Sequence, residues 1–224
     1  MPLPTATDQT GWQALLADDG ALAAGVSAVL ARHGLAGEPT RRYDSGSVPV
    51  YAVGSRHVLK LFPPFEDGHA SIEARALAAV QGALPIPTPR LIAADTQDGW
   101  PYLLMSQLHG ERLVDAWAAL SLAERDRMAD ELGAAIAALH AIDTTALADF
   151  TPRWEEFVPA QRASAAERQR ARQLDPYWVE RVPDFLQRWM PPPVARRVLL
   201  HTELMREHLT VAHDGQRWRL SGLF

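Results

Sequence analysis

Three sets of residues have the types and spacing for chemistry. The first is the run His201-Thr202-Glu203-Leu204-Met205-Arg206-Glu207-His208, which Leu199-Leu200 precedes and Leu209-Thr210-Val211 closes with strand-like character. A carboxylate there can orient and deprotonate a hydroxyl, and an imidazole can hold a proton or a metal. A short loop of this kind beside strands is where a fold places chemistry. The second set is Lys60 and Glu73. The chain has 22 lysines and arginines together, and Lys60 is the one lysine. With Arg the easy alternative throughout, its retention inside His57-Val58-Leu59-Lys60-Leu61-Phe62 is informative, although a strand lysine can also be the solvent-facing member of an alternation. Glu73 lies in a helix-forming run, where it either pairs with Lys60 or favours the helix dipole from the first turn. The third set is Ser45-Gly46-Ser47, a small-residue turn that either brings backbone N–H groups close to phosphate oxygens or serves only as a hairpin.

These residues need elements to hold them. Residues 10–34 read as one or two short helices, with Leu22, Val26, Val29 and Leu30 at helical spacing and Gly34 as a stop. That segment carries no chemistry and predicts a packing role. Residues 41–62 predict three strands broken near Ser45-Gly46-Ser47 and Gly54-Ser55. Residues 71–80 predict a helix with Ile72, Ala76, Leu77 and Val80 on its apolar face and Glu73 at the next position around. Pro85-Ile86-Pro87-Thr88-Pro89 is extended. Residues 90–93 and 101–106 follow as strands around Asp98-Gly99, and Gln107-Leu108-His109-Gly110-Glu111 ends the strand pattern.

Ser121-Leu122-Ala123-Glu124 is a capping box that opens a long helix with Met128, Leu132, Ile136 and Leu139 as its buried stripe. Beyond it, Arg162, Arg168, Arg170 and Arg172 read as a solvated helix face, and Trp154, Trp178, Phe185 and Trp189 as core anchors. Pro191-Pro192-Pro193 stops this helical stretch. The final strands are residues 209–211 and 218–224, joined through Asp214-Gly215.

Composition sets the outer bounds. The 224 residues are 47% apolar and 22% charged, enough to bury a core as one domain or two small lobes. A net charge of −5 argues against nucleic acid as a partner and fits a cationic small molecule. The absence of cysteine excludes disulfides, thiol catalysis and Cys-based zinc sites. With no signal-like N-terminus and no membrane-spanning apolar run, the expected location is the cytoplasm.

The order of these pieces resembles the aminoglycoside phosphotransferase and choline kinase group. The likeness rests on residues 53–64, Glu73-Ala74-Arg75-Ala76-Leu77, Pro87-Thr88-Pro89, Leu104-Met105-Ser106-Gln107-Leu108-His109-Gly110-Glu111, Leu139-His140-Ala141-Ile142-Asp143 and the His201 run. It implies an α+β, two-lobed protein-kinase-like fold. Residues 1–40 would be an N-terminal helical segment, 41–108 a nucleotide-binding sheet lobe, and 109–224 a partial helical lobe with the catalytic loop. It further implies ATP and Mg²⁺ as cofactors, and phosphorylation of a hydroxyl on a small, cationic, aminoglycoside-like acceptor.

In that frame Lys60 and Glu73 hold the α- and β-phosphates, Ser45, Gly46 and Ser47 form the phosphate loop, and Ser106, Gln107 and Leu108 form the adenine-binding hinge. Glu203 is the base, His201 belongs to the same catalytic loop, and His208 occupies the first metal position.

The group's pattern is His-x-Asp, four residues, then Asn, so Glu203 and His208 are departures. Glutamate carries its carboxylate one methylene further, and imidazole suits Zn²⁺ or Mn²⁺ better than Mg²⁺. The metal-binding Asp that the pattern calls for would follow directly after Phe224. One alternative is therefore a kinase-like nucleotide- or ligand-binding scaffold without transfer activity, or a truncated remnant. Another is a metal hydrolase using His201, Glu203, His208 and His213, although the His-Glu-x-x-His order is lacking.

Overall fold

The computed structural model describes residues 3–4, 9–16, 18, 20–44, 46–65, 68–189 and 196–224. Ser45 and Pro191-Pro192-Pro193 lie outside the described residues. Two helices, α1 (Gln9–Leu16) and α2 (Ala23–Arg32), precede a five-stranded sheet. Its strands are β1 (Thr40–Arg42), β2 (Val50–Val53), β3 (His57–Leu61), β4 (Leu91–Gln97) and β5 (Trp100–Ser106). They run in the order β1-β2-β3-β5-β4, and every pairing is antiparallel. At the β4–β5 hairpin Asp98 and Gly99 both have positive φ, 51° and 84°, as a two-residue turn matching the strand twist requires.

The sheet is covered on both faces. Trp12, Leu22, Val26, Val29 and Leu30 of the N-terminal helical segment pack with Val53, Leu59, Leu61, Trp100 and Tyr102. This is the packing role that the apolar spacing predicts. The opposite face carries α3 (His69–Val80) over Phe62, Leu103 and Met105. Side chains alternate along a strand. Leu59 and Leu61 face the N-terminal helices, whereas Val58 and Phe62 face α3, and Lys60 sits between the latter two.

The stripe of α3 that packs is Ala70, Ala74 and Leu77, so of the apolar face expected from sequence only Leu77 takes part. The helix is rotated because the positions i, i+3, i+4 and i+7 of its seam are 70, 73, 74 and 77. That rotation places Glu73 on the seam itself.

A second, three-stranded sheet of β6 (Glu111–Arg112), β7 (Leu209–His213) and β8 (Trp218–Leu223) packs with α4 (Leu113–Ala116) and α5 (Leu122–Ala141). The Ser121–Glu124 capping box is formed in both directions at the start of α5. Met128, Ala135 and Leu139 are its buried residues, with Leu132 packed against the same core. Ala135 is thus fully buried where Ile136 was expected, and Ile136 is half-buried. The residues leading into the His201 run form no strand, and Leu200 is exposed.

All of this belongs to one compact unit, residues 1–142 with 198–224. Residues 143–197 form a second unit containing α6 (Trp154–Ala171), α7 (Pro176–Val179) and α8 (Val182–Arg188). Here the structure corrects the sequence reading: Trp154, Trp178, Phe185 and Trp189 are exposed, not core anchors. Among the described residues of this unit only Leu147 and Val179 are buried. The rings instead pair locally, Trp154 with Phe157, Tyr177 with Trp178 and Phe185 with Trp189. Three helices of this length do not enclose so many large side chains.

Candidate functional site

Strand alternation and the α3 seam together bring Lys60 and Glu73 into contact. Lys60 Nζ donates to Glu73 Oε1 at 2.8 Å and Oε2 at 2.6 Å, a two-oxygen grip across thirteen residues of chain. The ammonium also lies 5.1 Å from the centre of the Phe62 ring. The side chains are 24% and 33% exposed, so the pair is reachable from solvent yet held on several sides.

Between β1 and β2, the Tyr43 N–H bonds to the Val50 carbonyl and closes a loop. Gly46 within it has φ +123°, a conformation that side chains disfavour. Among the described residues the N–H groups of Gly46 and Ser47 have no hydrogen-bond partner. A concavity of unpaired amides can receive anionic oxygens.

At the end of β5, the Ser106 N–H bonds to Arg90 O at 2.9 Å and the Gln107 N–H to Arg56 O at 2.8 Å. Neither the N–H nor the C=O of Leu108 has a partner among the described residues. Gln107 Oε1 is buried and likewise unpartnered. Unpaired backbone groups and an orphaned acceptor at a strand end suit the donor and acceptor edge of a purine.

The next residues lie tightly on the β7–β8 hairpin. A Cβ on Gly110 would stand 2.3 Å from the Val211 carbonyl oxygen, and one on Gly222 2.6 Å from Leu108 Cδ1. Ser221 Oγ donates to the His109 carbonyl at 2.6 Å and stands 3.0 Å from Thr210 Oγ1.

The His201 run enters β7 through a single turn of 3₁₀ helix, Arg206–His208. His208 Nδ1–H donates to the Glu203 carbonyl, which also accepts from the Met205 N–H at 2.9 Å. The Glu203 carboxylate is exposed and has no partner among the described residues. His201 Nε2–H donates to the Phe224 carbonyl at 3.1 Å, and the Phe224 N–H returns to the His208 carbonyl at 3.0 Å. His201 Nδ1 is buried without a partner. Arg206 stacks on Trp117 at 4.9 Å, as Arg125 does at 4.6 Å, which fastens the loop to the end of α4. Beyond β7, the turn is pinned by Asp214. The backbone N–H groups of Arg217 and Gln216, and then the Arg219 guanidinium, pull its carboxyl from 3.8 to about 2.

The structure thus assembles Lys60 with Glu73, and His201 with His208 and Phe224. The His208 Nδ1–H is committed to the Glu203 carbonyl, which leaves Nε2 as the ring nitrogen without a partner among the described residues. Among the described residues, however, no three His, Cys, Asp or Glu side chains gather to hold a metal. Mg²⁺ demands oxygen ligands, and the donors present here do not fit it. His213 receives the Gly215 N–H instead and stacks on Trp218 at the far end of the hairpin. The close packing at Gly110 and Gly222 and the Arg206–Trp117 stack were not read from sequence. Gly222 inside a strand run was the available signal for the first.

A five-stranded antiparallel sheet whose strand lysine is gripped by a helix glutamate, followed by helices and a histidine-bearing hairpin, is a protein-kinase-like fold. Residues 39–224 match the phosphotransferase enzyme family, and the chain belongs to that family. Solved structures agree on the fold. The macrolide 2'-phosphotransferase MphH from Brachybacterium faecium is 22% identical with a TM-score of 0.60, over 88% of this chain and 69% of that one. The streptomycin–ATP ternary complex of APH(2'')-IIa is 15% identical with a TM-score of 0.58, over 90% and 69%. The aminoglycoside phosphotransferase APH(3'')-Id from Streptomyces rimosus is 19% identical with a TM-score of 0.56, over 90% and 75%. No curated protein matches the chain in sequence. No helix among the described residues is long and apolar enough to cross a membrane.

Proposed function

We propose that the chain carries the nucleotide-binding and catalytic-loop regions of an ATP-dependent phosphotransferase acting in the cytoplasm on a hydroxyl of a small molecule. The observation that carries this reading is the two-oxygen Lys60–Glu73 pair, with distances of 2.8 and 2.6 Å. ATP would supply the transferred phosphoryl group. Lys60, oriented by Glu73, neutralises phosphate charge, and the unpaired amides of Gly46 and Ser47 donate to phosphate oxygens. Gln107 and Leu108 present the donors and acceptors for the base. Glu203, its backbone fixed and its carboxylate exposed, takes the proton from the acceptor hydroxyl as that oxygen bonds to phosphorus and ADP leaves. A cationic, polyhydroxylated acceptor fits the net charge of −5 and the streptomycin and gentamicin held by solved neighbours.

Calorimetric titration with ATP, followed by mass spectrometry of aminoglycosides and macrolides incubated with the protein, tests the reading. Saturable ATP binding that Lys60→Ala weakens, together with a phosphorylated product, is the expected result. Absence of ATP binding overturns it. A second reading, a nucleotide-binding scaffold without transfer, is favoured by His208, an imidazole standing where the family pattern has an oxygen donor. ATP binding with no product from any acceptor selects that reading.

A further inference from the structure

We infer that Trp12 is a positioning residue for the loop between β1 and β2, so that an N-terminal helix outside the family match helps to shape the nucleotide site. The inference rests on the reading above that this loop approaches phosphates. The family match begins at residue 39, and α1 ends at Leu16, well before it. The match to the family model therefore does not include α1.

Three contacts tie α1 to the loop and its surroundings. The Trp12 indole N–H donates to the Ser47 carbonyl at 3.3 Å. On the other arm of the loop, at the end of β1, Arg42 Nη2 donates to the Leu16 carbonyl at 2.9 Å. The Trp12 ring itself is 2% exposed and packs against Trp100 of β5 at 5.3 Å and Phe65 at 6.2 Å. Phe65 lies just beyond the strand that carries Lys60. A buried indole wedged between two rings is a rigid donor, because its two side-chain torsions are fixed by packing.

The consequence follows from peptide planarity. In a trans peptide the N–H points opposite to the C=O. Drawing the Ser47 carbonyl towards Trp12 turns the Val48 N–H away from the N-terminal helices. Lys60 also faces away from them, on the α3 side of the sheet. The Val48 N–H has no hydrogen-bond partner among the described residues. Trp12 thereby sets the orientation of an amide that, with those of Gly46 and Ser47, is left for an anionic ligand. Without that bond the Ser47–Val48 peptide can flip, and each flip withdraws a donor.

The test is Trp12→Phe, which keeps an aromatic ring against Trp100 and Phe65 and removes only the N–H. Benzothienylalanine at position 12 is a second variant, closer in shape and equally without a donor, should Phe compromise folding. ATP affinity is read by calorimetry, and the protection that bound ATP gives the backbone amides of residues 46–48 by hydrogen exchange and mass spectrometry, each beside Lys60→Ala. Loss of one hydrogen bond predicts an ATP Kd raised about fivefold, with weaker ATP-dependent protection at 46–48 and unchanged exchange in α3. Unchanged protection at 46–48 overturns the inference whatever the Kd. Weaker protection with wild-type Kd overturns it too, provided Lys60→Ala weakens binding. If Lys60→Ala leaves ATP affinity intact, the nucleotide reading of the sheet has failed instead.

Discussion

The Lys60–Glu73 region and the His201–His208 region solve the placement of charged groups in opposite ways. In the first, two charged side chains hold each other, and regular structure aims both. In the second, the side chains of His201 and His208 hold backbone carbonyls, and the Glu203 carboxylate is left exposed. Strand alternation and a helix seam determine side-chain direction to within a rotamer, so the pair is complete with no ligand. A loop lacks that periodicity and spends its polar groups on fixing its own path. The sheet region thus closes its charges into a pair, whereas the hairpin leaves the Glu203 carboxylate outside its own bonding.

The sharpest way to break this contrast is Glu203→Gln. If the hairpin presents the base and the sheet does the binding, turnover falls by about 10²–10⁴-fold while the ATP Kd is unchanged. Full-rate turnover by the variant, in a steady-state assay with an identified acceptor, removes Glu203 from the chemistry. Lys60→Ala is the reciprocal test, with ATP affinity expected to fall by about ten- to a hundredfold, measured by calorimetry. A wild-type Kd in a folded variant would make the pair a structural feature only.

Gly110→Ala probes where the two regions meet. Its Cβ would stand 2.3 Å from the Val211 carbonyl at a φ of +108°, so a loss of about 2–3 kcal/mol in denaturant unfolding is expected. Stability within error of wild type would show that the segment after β5 can lift off the hairpin.

The smallest expected effect concerns acid. The Asp214 carboxyl is lowered from 3.8 to about 2 in the folded state. Its stabilising contribution is therefore complete above about pH 4 and is lost as the pH falls through about 2. Asp214→Asn keeps an oxygen acceptor without a titrating group. A plot of Tm against pH for this variant should be flatter than wild type over that range, with turnover at neutral pH unaffected. Parallel curves would place the acid sensitivity elsewhere, for instance at Glu124, whose carboxyl the Ser121 hydroxyl and N–H also hold low.

Much of the sheet region could be read in advance. The β-branched runs, the Asp98-Gly99 turn, the single lysine and the capping box at Ser121 are local signals, and each corresponds to an element in the structure. The His201 run and its closing hairpin were legible for the same reason, since turn and strand preferences act over a few residues. The helical stretch after residue 143 was not. Its tryptophans resemble core residues by type, and composition cannot say whether enough neighbouring surface exists to cover them.

By itself the sequence determined which segments become strands and helices and which residues could carry charge chemistry, because both follow from side-chain type and short-range spacing. It left open whether Lys60 faces solvent or a partner, and whether Glu73 serves the helix end or the lysine. Only the tertiary structure decided these, by rotating α3 so that Ala70, Glu73, Ala74 and Leu77 meet the sheet. It also decided that Trp12, 35 residues before Ser47 in the sequence, bonds to the loop beside that pair. Such choices depend on which faces are buried against which. That is settled by the packing of distant segments, where no local preference can reach.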